Sequence, residues 1–98
     1  MYIVREIFHL QFGRFKEAKA LMDEAFNSGM MPKREGSRML SDFTGGSYRM
    51  IFESSHETLG DFEKSLTADM GKGDWQGWYE RFKPLVRTSE REILKLVS

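Results

Sequence analysis

The sequence predicts the α+β class and, within it, a ferredoxin-like plait with the element order βαββαβ and an extra short helix before the last strand. Three observations predict this fold: an alternating segment opens the chain, segments with helical periodicity follow strands, and a pair of glycines separates two strand-like runs. The 98 residues match the size of one domain, and no linker or low-complexity tract divides them. We therefore expect residues 1–98 to form a single domain.

The first strand is predicted over residues 2–11, where the alternation separates two faces. One face carries Val4, Phe8 and Leu10, and the other carries Ile3, Arg5, Ile7 and His9. Because both faces hold apolar residues, we expect helices to cover one side of this strand and a second copy of the chain to cover the other. A helix follows over residues 15–28, with Gly29 as its C-cap and Pro32 preventing its continuation.

The rest of the chain supplies a hairpin, two helices and a final strand. A polar loop over residues 33–37 precedes a strand over 38–43, and Gly45-Gly46 joins it to a strand over 48–53. Ser54-Ser55-His56-Glu57 offers cap chemistry for a second helix. The apolar face of that helix carries Leu59, Phe62, Leu66 and Met70. Glycines in the segment 71–73 end the helix, a short helix starts at Trp75, and the last strand is predicted over 90–97.

Composition excludes several classes of function. The 15 basic residues balance 15 acidic ones without a basic run, so neither a nucleic-acid partner nor an anionic membrane surface is indicated. The absence of cysteine excludes disulfides and thiolate ligands, and the two histidines lack the spacing of a metal site. No metal or cofactor is therefore predicted. No apolar run reaches the length of a signal segment or a membrane span, and a cytoplasmic protein is expected.

Three motifs resemble those of known domains. Arg5-Glu6-Ile7-Phe8-His9-Leu10 before Gly13 resembles the opening of NIPSNAP-like and antibiotic-biosynthesis-monooxygenase-like domains of the dimeric α/β-barrel superfamily. Phe52-Glu53-Ser54 before Leu59 and Phe62 resembles their third strand and second helix, and residues 75–85 with 89–94 resemble the NIPSNAP-like tail. The sequence departs from the pattern at Phe12, where a proline is common. The resemblance implies a homodimer in which two sheets pack face to face as a dimeric α/β barrel, with a small cavity beside each sheet.

His9 is the candidate catalytic residue, because the imidazole group titrates near neutral pH and can act as a general base. It shares a strand face with Arg5, while Arg49 and Glu53 share a face of the neighbouring strand. We predict that these four residues line a ligand-binding pocket turned towards the partner subunit. Two more residues, Met50 and Trp78, are predicted to shape its apolar walls.

Each of these assignments has a structural alternative. The four polar residues are equally consistent with a charge network that fixes the register of the dimer, and His9 with a hydrogen-bonded interface histidine. Trp75, Trp78 and Tyr79 either stack on a planar substrate or seal the end of the sheet. His56 is assigned a local structural role in the cap of the second helix.

Two functions from different classes follow from the sequence. The first is a homodimer that binds or transforms a small hydrophobic or aromatic molecule in an inter-sheet cavity, in the manner of a cofactor-independent oxygenase. The second is a non-enzymatic dimeric module whose cavity is filled by side chains. Whether the chain is an enzyme is left open by the residues alone.

Overall fold

The order of elements along the chain is the predicted one. The computed structural model describes residues 1–31, 36–70 and 73–98. Its strands are β1 (Tyr2–Leu10), β2 (Arg38–Ser41), β3 (Arg49–His56) and β4 (Val86–Lys95), and its helices are α1 (Phe15–Asn27), α2 (Leu59–Met70) and α3 (Trp75–Phe82). A single 3₁₀ turn, Lys83–Leu85, joins α3 to β4. The four strands form one antiparallel sheet in the order β2-β3-β1-β4, which confirms the ferredoxin-like fold.

The two largest differences from the predicted boundaries lie at the end of β3 and at the start of β4. β3 continues through Ser54 to His56, which pairs with Tyr2 of β1, so the serines and His56 belong to the strand rather than to a helix cap. The second helix is capped instead by Thr58, whose Oγ1 accepts a hydrogen bond of 3.1 Å from the backbone N–H of Asp61. β4 begins at Val86 instead of residue 90, because Val86 already pairs with Leu10. In both places strand pairing with β1 decides the boundary.

Some predicted features fall wholly or partly outside the described residues. These are the stop at Pro32, most of the loop over 33–37, part of the glycine segment 71–73 and the side chain of Met70.

The helix face of the sheet, defined by the even-numbered positions of β1 and β3, carries the core. Leu10 and Met50 from the strands are buried against Met22 of α1 and against Trp78 and Phe82 of α3. Met50 is among the most buried side chains, at 1% exposure. Val4, Phe8 and Leu10 of β1 thus lie on the face of the sheet that the helices cover.

The open face of the sheet, defined by the odd-numbered positions of β1 and β3 and their neighbours on β2 and β4, mixes apolar and charged side chains. Ile7 lies opposite Ile51 across the β1–β3 ladder, and Leu40 of β2 lies opposite Ile51 on the other side. Leu40 and Leu94 are 37% and 40% exposed. An apolar row thus crosses the middle of this face, with charged residues on both sides of it.

Candidate functional site

A cavity of about 320 Å³ lies between the helix face of the sheet and the helices. Its volume falls at the lower end of the range that small-molecule sites occupy. The side chains that line it come from β1, β3 and β4 below and from all three helices above: Val4, Glu6, Phe8, Met22, Met31, Phe52, Ser54, His56, Phe62, Ser65, Leu66, Trp75, Trp78, Tyr79, Phe82, Ser89 and Arg91. We call this space the sheet–helix cavity.

The helix side of the cavity is aromatic. Trp78 stacks on Phe82 with ring centroids 4.9 Å apart, and on Trp75 at 5.2 Å. Phe8 meets Phe82 edge to face at 5.2 Å. Trp75, Trp78 and Phe82 are spaced three and four residues apart along α3, which places their rings on one face of the helix. Trp78 also fixes α3 to α1, because its indole N–H donates a hydrogen bond of 2.7 Å to the carbonyl of Leu21.

Polar groups lie on the sheet side of the same cavity. Ser54 and His56 stand two residues apart on β3 and therefore share a face, and Ser54 Oγ lies 3.0 Å from His56 Nε2. Glu6 and Arg91 face each other across the β1–β4 ladder and form an ion pair. The cavity thus has an apolar, aromatic wall and a wall with a few convergent polar groups, which is the usual composition of a small-molecule site.

One ring joins the polar groups. The His56 ring packs edge to face against Phe62, with centroids 5.2 Å apart. The guanidinium carbon of Arg91 lies 5.2 Å from the centre of the same Phe62 ring, within the range of a cation–π contact. Phe62 of α2 therefore holds both the imidazole and the cation close to one end of the cavity.

An ion network occupies the open face. Glu53 is only 4% exposed, and its two carboxylate oxygens accept hydrogen bonds of 2.8 Å from Arg5 Nε and Arg38 Nε. The hydrogen bond from Arg5 lowers the pKa of Glu53 from its ordinary value, and Arg38 lowers it further, while burial acts in the opposite direction. Glu53 is thus held as a carboxylate between two guanidinium groups.

Two more polar contacts flank this network. His9 Nε2 lies 2.9 Å from Glu90 Oε1 on β4. At the base of the hairpin, Arg49 Nε donates to Asp42 Oδ1 at 2.9 Å, and this hydrogen bond lowers the pKa of the Asp42 carboxyl group. The backbone turns sharply there, since Ser47 and Tyr48 adopt φ angles of 59° and 55°, a strained region for residues other than glycine.

The structure brings together four of the six predicted site residues. Arg5, His9, Arg49 and Glu53 share the open face as predicted. Arg5 pairs with Glu53, Arg49 pairs with Asp42, and the His9 ring lies beside Glu90. Met50 and Trp78 do not join them, because they lie on the helix face, on the other side of the sheet. Met50 alternates with Arg49 along β3, so it points the opposite way. Of the six, only Trp78 lines the sheet–helix cavity.

Sequence reasoning missed six polar residues of the cavity. They are Glu6, Ser54, His56, Ser65, Ser89 and Arg91. Two of them, Ser54 and His56, were predictable from the alternation of side chains along β3. This alternation continues past Glu53 and puts both residues on the same face as Met50. No local sequence pattern indicated Glu6 and Arg91, since a charged residue on a strand is usually solvated. Only the pairing register of β1 and β4 brings these two residues together.

Two features of the described residues bear on partners. Within residues 1–31, 36–70 and 73–98, no group of three or more histidine, aspartate or glutamate side chains is arranged to hold a metal ion. No helix in the same ranges combines the length and apolar character needed to span a bilayer.

The pKa of Glu53 predicts how stability depends on pH. Its folded-state pKa lies below the ordinary value of 4.5, so its contribution is present above about pH 4.5 and is lost as the pH falls through the folded-state pKa. Asp42 adds a change of the same sign below its ordinary value of 3.8. We expect the free energy of unfolding, measured by urea titration at a series of pH values, to decrease over this acidic window.

The Glu53→Gln variant tests the assignment. Both arginine partners are more than a third exposed, so we expect a loss of about 1–2 kcal/mol at neutral pH together with a flatter acid profile. The control is Glu63→Gln on the exposed surface of α2. An unchanged acid profile in Glu53→Gln would show that other carboxylates cause the pH dependence.

No protein-family model and no curated protein matches the sequence. Solved structures match it closely in shape. A NIPSNAP family protein from Agrobacterium tumefaciens superposes with a TM-score of 0.85 at 18% identity, over 98% of this chain and 85% of that one. A NIPSNAP domain protein from Burkholderia xenovorans gives 0.83 at 12% identity, over 100% and 96% of the two chains.

A third match comes from a differently named group. An antibiotic biosynthesis monooxygenase superposes with a TM-score of 0.72 at 10% identity, with both chains covered completely. At these identities the likeness concerns the fold, and it confirms at that level the resemblance carried by the sequence motifs. The chain therefore has the ferredoxin-like fold of NIPSNAP family structures and, at a greater structural distance, that of antibiotic biosynthesis monooxygenases.

Proposed function

We propose that this protein binds a small, largely apolar molecule in the sheet–helix cavity. The observation that carries the proposal is the two-sided character of the cavity, with stacked rings of α3 on one wall and polar side chains of the sheet on the other. The sequence predicts a ligand in the space between two sheets, whereas the proposed site lies on the opposite side of the sheet. The fold is similar to that of a structure named antibiotic biosynthesis monooxygenase, and this similarity supports the proposal that the bound molecule is also chemically transformed.

The two tryptophans make the proposal directly testable. The chain contains only two, Trp75 and Trp78, and both line the cavity. A molecule bound there lies against the indole rings, so we expect menadione and naphthoic acid to change the intrinsic fluorescence in a saturable way. Titration of the protein with each probe gives a Kd, and a thermal shift that rises with probe concentration provides a second measure of the same binding.

A pair of variants on β4 locates the bound probe. Ser89 lines the cavity at an exposed position, and Ser89→Phe should weaken the fitted Kd by roughly tenfold or more, since the new ring occupies the space of the probe. Thr88→Phe adds the same ring on the opposite face of the strand and should leave the Kd unchanged. Equal effects of the two substitutions, or no fluorescence change with any probe, would contradict binding in this cavity.

We further propose that residues 1–98 act as a single-domain homodimer, with the open face buried against a second copy. Ile7, Ile51 and Leu40 form an apolar row on this face, and helices occupy the other side of the sheet. A symmetric dimer brings the same surface of each copy together. The apolar rows of the two copies can then pack against each other, and the charged residues beside each row can meet residues of opposite charge on the partner.

The charge network on the open face supports a second candidate function, the non-enzymatic dimeric module. Arg5 and Arg38 both hydrogen-bond to Glu53 on the neighbouring strand, as expected of residues that fix the register of neighbouring strands. The earlier prediction of a ligand pocket around His9 is a competing proposal for the same face. Under it, His9→Ala abolishes binding of the probes and leaves the dimer intact. Under the proposal for the sheet–helix cavity, His9→Ala leaves the Kd unchanged.

A further inference from the structure

We propose that the Ser54–His56 pair makes the sheet–helix cavity a proton-accepting site, in which His56 is the general base for a weakly acidic C–H, N–H or O–H group of the bound molecule. The inference rests on the proposed function, because it needs a molecule in that cavity. It differs from the sequence-based prediction, which assigned the base to His9 on the opposite face.

The geometry fixes the imidazole within the cavity wall. Ser54 and His56 are both 8% exposed, and the 3.0 Å contact between Ser54 Oγ and His56 Nε2 sets the orientation of the ring. Phe62 packs edge to face against the same ring and restricts it from the helix side. In the tautomer with an unprotonated Nε2, the serine hydroxyl donates to that nitrogen, as a hydroxyl next to a catalytic base does. The lone pair of Nε2 is then engaged by the serine hydroxyl, so a proton released by the bound molecule is taken up by Ser54 Oγ as the hydroxyl proton passes to Nε2.

Arg91 supplies the opposite charge. Removing a proton leaves an anion, and a fixed cation that faces the anion stabilises it. The Arg91 guanidinium and the His56 ring both lie 5.2 Å from the Phe62 ring, so base and cation border one region of the cavity. Glu6 holds Arg91 in place through their ion pair. The favoured ligand is therefore a weak acid whose charge becomes delocalised on deprotonation.

A reaction that requires only a base tests this inference. A nitro-substituted benzisoxazole is a small, planar, apolar molecule that opens when its heterocyclic C–H is deprotonated. The C–H proton passes to Ser54 Oγ while the serine proton passes to His56 Nε2, the C–H electron pair forms the nitrile, and the N–O bond breaks to release a coloured cyanophenolate. No co-reactant is needed. We expect the protein to accelerate this ring opening above the buffer rate, with saturation at high probe concentration.

His56→Gln keeps a hydrogen-bonding group beside Ser54 and removes the base. We expect it to lower the rate by on the order of 100-fold, at the lower end of what general-base catalysis contributes. Glu63→Gln, an exposed carboxylate of α2, is the control and should retain the rate. Retention of the full rate in His56→Gln, or its loss in His9→Gln instead, would overturn the proposal.

A second measurement does not depend on the folding of a variant. Nitrobenzotriazole has a similar shape and carries an acidic N–H, so we expect it to shift the ring resonances of His56 in an NMR titration of the wild-type protein. If the tryptophan fluorescence reports binding of both probes while the His56 resonances and the ring-opening rate stay unchanged, the base is overturned and the proposed binding function stands. If neither probe changes the fluorescence, both fail together.

Discussion

A lysine at position 51 is expected to convert the proposed dimer into monomers. Ile51 lies at the centre of the open face, between Ile7 on β1 and Leu40 on β2. In a dimer that buries this face, Ile51→Lys places an ammonium group in an apolar contact, and an unpaired buried charge costs several kcal/mol. Because each 1.4 kcal/mol is a factor of ten in Kd, we expect dissociation to become at least 100-fold more favourable.

Light scattering across a concentration series measures this effect. The wild type should give twice the chain mass of 11.5 kDa at micromolar concentration, and Ile51→Lys should give the mass of one chain. Glu63→Lys adds the same charge change on the outer surface of α2 and should stay dimeric. Ile51→Leu keeps the apolar contact and should also stay dimeric. A wild-type protein that is a single monomeric species at this concentration would refute the proposed interface.

The element order and the faces of β1 were predictable because they depend on local periodicity. Alternation separates Val4 and Leu10 from Ile7 along the first strand, and the structure keeps that separation. The cap predicted at residues 54–57 was wrong for a physical reason. Serine next to a histidine and a glutamate favours a helix N-terminus locally, but at this position pairing with Tyr2 and Val4 extends the strand. The longer-range hydrogen bonds decided the outcome.

The candidate site was less predictable than the fold. The grouping of Arg5, His9, Arg49 and Glu53 followed from alternation and from the neighbouring positions of β1 and β3. The cavity on the other face depends on how the side chains of α2 and α3 fit against the sheet, which no local pattern encodes. Trp78 illustrates this: its helical spacing predicted an apolar face, but its contact with Leu21 requires the tertiary position of α1.

Replacement of Trp78 by alanine is expected to cause the largest loss of stability among the variants considered. The side chain is 2% exposed, stacks on Phe82 and donates a hydrogen bond to the Leu21 carbonyl. Removing such a ring from a core lowers the free energy of unfolding by about 3–5 kcal/mol, through lost burial and the cavity that remains. For a domain of this size that is a large share of the total, so urea unfolding should show a partly unfolded population even in buffer.

Two further variants separate the causes. Trp78→Phe keeps most of the ring and removes the indole N–H, so the Leu21 carbonyl loses its donor and we expect a loss of about 1–3 kcal/mol. Tyr79→Ala, on the same helix at 41% exposure, should cost less than about 1 kcal/mol. If Tyr79→Ala were as destabilising as Trp78→Ala, helix propensity in α3 would explain the loss. The contrast expected between them arises because Trp78, unlike Tyr79, joins α3 to α1 through both packing and a hydrogen bond, and so holds the aromatic wall of the cavity against the sheet.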